Sequence, residues 1–184
     1  MRILGCAFSQ YAQDYDRTLP QATADGGRYT WRSAIDIYVR ANRSVYMCWE
    51  RHESRDPNTT MKGADSFPNS YAVNAADGAS GRGPFSSTHA SLPLTKIPFP
   101  ESTIALCEVQ DTVPPVFNID DMHADPNHPA LYTGHSGTSA YLFVDGHTDL
   151  LRPVSTVRGA ENAWYVDVTK PLTPAGHAAL QHDR

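Results

Sequence analysis

A chain of 184 residues, 40% hydrophobic and 19% charged, has the size and composition of one globular domain able to bury a core without metals or several disulfides. Fifteen Lys and Arg against twenty Asp and Glu give a formal net charge of -5, and the basic residues form no run, which argues against nucleic acid as a partner. No stretch reaches the roughly 20 apolar residues that cross a bilayer, and 14 Pro with 12 Gly favour long connections, so a single α+β domain over residues 1–184 is expected.

Ile3, Leu4, Ala7, Phe8, Tyr11, Ala12 and Tyr15 recur at the three-and-four spacing of one helix face and predict a helix over residues 1–15. The pattern starts at Met1 with no capping residue ahead of it, as in a helix cut short, and Asp14, Asp16 and Leu19-Pro20 mark its end. Thr30 is a plausible N-cap for a second helix over 31–41 whose apolar face is Trp31, Ala34, Ile35, Tyr38 and Val39. A strand from Ser44 to Cys48, a polar loop from Glu50 to Asn69, and a half-buried strand from Ser70 to Asn74 follow. Small residues from Ala75 to Ser87 read as another loop, and Thr103 to Glu108 as a buried strand. Ala140–Val144 and His147–Leu151 flank Asp145-Gly146, which predicts a hairpin with a type I′ turn. A strand at Trp164–Val168 and a short helix at Thr173–Leu180 complete the chain.

Cys6, Cys48 and Cys107 are widely spaced and odd in number, so they make no CxxC motif and at most one internal disulfide. Cys48 with Cys107 is the favoured pair, because each adjoins an apolar run that could be a neighbouring strand. Two buried thiols are the alternative.

Three segments carry a resemblance. Leu4-Gly5-Cys6-Ala7-Phe8 is followed by Tyr11-Ala12-Gln13-Asp14-Tyr15-Asp16 and Leu19-Pro20; a Trp31-led helix with Tyr38-Val39 leads to Cys48, with Ser70-Tyr71 and Asn74 downstream; and nine residues separate His135 from Asp145-Gly146-His147. In this order they resemble bacterial prepilin-like proteins with a His-x9-Asp-Gly motif, relatives of the type II secretion pseudopilins. Trp49 stands where that family commonly has Pro, and Gly134 where a basic residue is common. The resemblance implies a pilin-like head, an N-terminal helix packed on an antiparallel β-sheet, belonging to a structural, partner-binding and non-catalytic subunit. It further implies an apolar helix ahead of Met1 that anchors the precursor, an extracytoplasmic location, and contacts with other pilin-like subunits or secretion components. The head alone is expected to be monomeric.

Several residues are candidate site residues. His135 and Asp145 could meet near the hairpin and bind a partner or metal; the preferred reading is that Asp145 forms its turn while His135 bonds backbone in the preceding loop. The segment Ile119 to His128 gathers Asp120, Asp121 and Asp125 with two imidazoles; solvated surface is the first reading and Ca²⁺ bound by those three carboxylates the second. Tyr29, Trp31, Tyr38, Tyr46 and Trp49 could form a glycan-binding surface on an exposed head, although such residues are more often core. A small hydrolase is a lesser alternative: Ser136 adjoins His135, but neighbours on an extended chain point to opposite faces.

Overall fold

The computed structural model describes residues 1–50, 70–77, 81–110, 113–120, 130–159 and 161–182, so the polar loop after Glu50 lies outside the described residues. The first helix forms as α1, Arg2–Asp14, and buries Leu4, Ala7, Phe8 and Ala12 along one face. Ile3 and Tyr15, part of the predicted stripe, stay exposed. The helix ends where Asp16 and Arg17 turn left-handed (φ 50° and 58°) and the Arg17 N–H reaches back to the Ala12 carbonyl at 2.7 Å.

Strands β1 (Thr23–Ala24) and β2 (Tyr29–Thr30) pair around Asp25-Gly26-Gly27 and deliver the chain to α2, Trp31–Ile35. This helix is shorter than predicted. Turns replace it from Asp36, and Arg40 and Ala41 take positive φ (53° and 54°). The Tyr38 hydroxyl donates to Asp14 Oδ2 at 2.8 Å, a bond that pushes the phenol up to about 12 and ties the turns to the end of α1. Ser44–Cys48 is not a strand. Asn42 Oδ1 accepts from the N–H and the hydroxyl of Ser44 (3.2 and 2.7 Å) and caps one turn of 3₁₀ helix, Arg43–Tyr46.

The central sheet contains β3 (Tyr71–Asn74), β4 (Ile104–Glu108), β5 (Val116–Phe117), β6 (Ser139–Phe143) and β7 (Thr148–Leu151) in the order β5-β3-β4-β6-β7. It is mixed rather than purely antiparallel, because β5 lies parallel to β3 with Val116 opposite Val73. All four residues of β3 are buried, against the half-buried expectation, since it has strands on both sides and packed side chains on both faces.

Those faces hold separate cores. Leu4, Ala7 and Phe8 of α1 join Trp31, Tyr46 and Phe85 over Tyr71, Val73, Leu106 and Leu142. On the other face Ala72, Ile104, Cys107 and Tyr141 pack with Phe117, Trp164, Tyr165 and Leu180. The helix sits tightly on the sheet because Gly5 has no side chain: a Cβ there would stand 3.0 Å from Leu142 Cδ1.

The β6–β7 hairpin forms as predicted, with a different turn. Val144, Asp145 and Gly146 make a three-residue loop in which Gly146 alone is left-handed (φ 95°). Its N–H donates to the Phe143 carbonyl at 3.0 Å, and the Phe143 N–H donates to His147 at 2.9 Å. Trp164–Val168 is not a strand, because Asn162 Oδ1 accepts the N–H groups of Trp164 and Tyr165 (2.9 and 3.0 Å) and bends the chain so that both rings are buried. Short strands β8 (Val157–Arg158) and β9 (Glu161–Asn162) precede it. The last helix, α3 (Pro174–His182), begins where Thr173 Oγ1 accepts the Gly176 N–H at 3.1 Å.

Candidate functional site

His135 and Asp145 occupy opposite ends of β6 and have different partners. Asp145 serves its own turn: its Oδ1 accepts the His147 N–H at 3.0 Å and lies 2.6 Å from His147 Nδ1, while the His147 ring stacks on Phe143 with centroids 4.3 Å apart. The preferred reading of Asp145 therefore describes the turn. His135 differs from that reading, because its ring nitrogens face side chains and not backbone.

A short turn places His135. Ser136 (φ 56°) and Gly137 (φ 81°) are left-handed, the Gly137 N–H donates to Thr133 at 3.0 Å, and the Thr138 hydroxyl donates to the His135 carbonyl at 2.6 Å. The ring is thereby held at the start of β6, with Tyr132 edge-on at 5.4 Å. His135 Nε2 lies 2.9 Å from Glu108 Oε2 and 3.7 Å from Cys48 Sγ, and Nδ1 lies 2.5 Å from Glu50 Oε2.

Three elements bring these partners together. Glu108 ends β4 opposite Tyr71 of β3, and its side chain is fully buried. Cys48 follows the 3₁₀ turn and is anchored when its N–H donates to Ser70 Oγ at 3.0 Å, just ahead of β3. The Ser139 hydroxyl donates to the Glu108 carbonyl at 3.2 Å, locking the start of β6 to the end of β4. Glu108 Oε1 is buried and has no hydrogen-bond partner among the described residues. A buried carboxylate oxygen left in that state is costly. The site opens into a shallow depression of about 500 Å³ bordered by Trp49, Glu50, Thr148 and Leu150, of which Trp49 (78%) and Leu150 (56%) are strongly exposed. One thiol, one imidazole and two carboxylates thus converge, three of the groups within 4.8 Å of one another.

The expected Cys48–Cys107 disulfide is absent. Cys48 belongs to the cluster on the α1 side of the sheet and Cys107 to the opposite cluster, where its thiol donates to the Ala72 carbonyl at 3.6 Å. Burial, and after it the Glu108 charge, holds the Cys107 thiol well above its ordinary pKa. Cys6 is exposed on α1.

Asp121 and Asp125 lie outside the described residues. Asp120 turns inward: its Oδ1 accepts from the Tyr165 and Thr173 hydroxyls at 2.5 and 2.8 Å, and Oδ2 is buried with no partner among the described residues. Burial and the Asp120 bond together raise the Tyr165 phenol well above its usual value. Asp120 Oδ1 thus joins the start of α3 to Tyr165.

The five aromatic residues do not form one surface. Trp31 and Tyr46 are core residues stacked edge-on at 5.7 Å, whereas Tyr29 and Trp49 are exposed. Ser136 sits in the turn, and the thiol facing His135 is Cys48, so the hydroxyl is not the group a hydrolase reading would use. Sequence patterns do not single out Glu108 and Glu50; the one signal is that Glu108 is a carboxylate ending an otherwise apolar strand. No protein-family model matches this chain, and no curated protein and no solved structure shows significant similarity to it.

Proposed function

We propose that this chain is the head of a prepilin-like, pseudopilin-type subunit, a structural and partner-binding component of a type II secretion or type IV pilus-like envelope assembly. The head faces outside the cytoplasmic membrane and is not itself catalytic. The observation that carries this reading is α1, which lies on the central sheet through Leu4, Ala7 and Phe8 while leaving Ile3 (58% exposed) and Cys6 open on its outer side. A helix with one face committed to its own sheet and another face open can join subunits side by side without disturbing the head. The order of the Tyr11–Asp16, Trp31–Cys48 and His135–His147 segments supports the same reading.

The test is made in cells that express the gene, with a photocrosslinking residue substituted for Ile3. Recovery of the chain in the envelope fraction, crosslinked to copies of itself or to other pilin-like subunits, is the expected result. A cytosolic chain without adducts overturns the proposal.

A further inference from the structure

Buried carboxylates are tolerated when paired, and a carboxylate beside a buried thiol raises the cost further as soon as the thiol ionises. Glu108 and Cys48 are in that position. Both point at one nitrogen, His135 Nε2, at 2.9 and 3.7 Å, and the second, buried oxygen of Glu108 has no hydrogen-bond partner among the described residues. A single N–H at Nε2 serves one strong acceptor, so Glu108 and Cys48 share that nitrogen.

A metal ion is a different occupant for the three groups, whose ligand atoms lie within 4.8 Å of one another. Tetrahedral coordination at ordinary Zn–S, Zn–N and Zn–O lengths sets sulfur and nitrogen about 3.5 Å apart and nitrogen and oxygen about 3.3 Å apart. The observed separations of 3.7 and 2.9 Å lie within a few tenths of an ångström of those edges. The donor set is also selective: thiolate with imidazole suits zinc and its softer neighbours, and does not suit calcium or magnesium. Glu50 completes the pattern from behind. Holding Nδ1 at 2.5 Å, it fixes the ring so that Nε2 faces Cys48 and Glu108, the carboxylate–histidine arrangement that orients imidazole ligands.

We infer that Cys48, Glu108 and His135 bind one zinc-type divalent cation, with Glu50 positioning His135 and the fourth coordination position open to the depression beside Trp49. On binding, the thiol proton leaves to solvent as the metal–sulfur bond forms. The order Cys48, His135, Glu50 also resembles a thiol nucleophile with its base and orienting carboxylate. Glu108 has no part in that reading, whereas a cation engages the thiol, the imidazole and the buried carboxylate together. The inference stands independently of the pilin-like reading.

The test uses the whole chain, cleared of metal by a chelator and titrated with Co²⁺ alone. One Co²⁺ per chain should bind, with a sulfur-to-cobalt charge-transfer band in the near ultraviolet and the strong visible bands of tetrahedral cobalt; added Zn²⁺ should erase both. Cys48→Ser should lose the charge-transfer band while Cys6→Ser and Cys107→Ser keep it. Glu50→Gln, which leaves all three ligands in place, should weaken Co²⁺ binding by about ten- to hundredfold. Absence of the band from the wild-type chain overturns the inference whatever the variants do, as does a band that survives Cys48→Ser and disappears with Cys6→Ser.

Discussion

Asn74 shows how much one polar side chain can hold in place. Fully buried at the end of β3, it donates from Nδ2 to the carbonyls of Ile104 at 2.8 Å and Trp164 at 2.7 Å, while Oδ1 accepts the Ala76 N–H at 3.3 Å. It therefore ties the central sheet to the bent segment that carries Trp164, using donors that neither carbonyl could replace with water. Asn74→Ala should cost about 2–4 kcal/mol in urea denaturation, because two buried carbonyls lose their donor. Asn74→Asp should be no milder, since a carboxylate has no N–H to offer; a loss below about 1 kcal/mol in either variant would mean that Asn74 is not the tie described.

The connection between β3 and β4 is organised in the same way at the scale of an element. Asp77 Oδ2 accepts from the Thr88 hydroxyl and from Ser86 Oγ at 2.8 Å and faces His89 Nδ1 at 3.5 Å, and Ser86 Oγ accepts the N–H groups of Thr88 and His89 (3.2 and 3.0 Å). Burial opposes ionisation of Asp77, but the Thr88 and Ser86 bonds and the His89 pair outweigh it and hold the carboxyl below its ordinary value. A folded-state value below the unfolded one adds stability that is complete above the unfolded value and is lost as pH falls through the folded one. Asp77→Asn should therefore melt below the wild type at neutral pH. The gap should close as pH falls below about 3.9, the ordinary aspartate value. A gap that stays constant across that range would show that the charge contributes nothing to this connection.

Across the whole molecule, the sheet keeps its two cores apart, with Ile35 in one and Ile104 in the other, both fully buried. Ile35→Val and Ile104→Val should each cost about 0.5–1.5 kcal/mol, and the double variant should cost their sum to within about 0.5 kcal/mol. A larger coupling would mean that packing is transmitted through the strands. The same division governs what was legible in the sequence. The face of α1 from Leu4 to Ala12 and the Asp145-Gly146 hairpin are local patterns, and local periodicity or turn chemistry is enough to find them. Nothing local joins Cys48 to His135 and Glu108, because strand pairing over long sequence separations brings them together. The disulfide expectation missed for the same reason: which face Cys107 takes depends on β4 register, including the irregularity between Ile104 and Leu106. The turn differs from type I′ for another reason: a three-residue loop uses the same Gly with the residue before it left in an ordinary conformation.

The two-sided sheet also bears on how such a chain can change over generations. A substitution beside Phe8 meets its compensating partners among α1, Trp31 and Phe85, and one beside Trp164 meets them near Phe117 and Tyr141. Descendants could rewrite one half while the other stays nearly fixed. The strands between them, answering to both neighbourhoods at once, would be the slowest part of the chain to diverge.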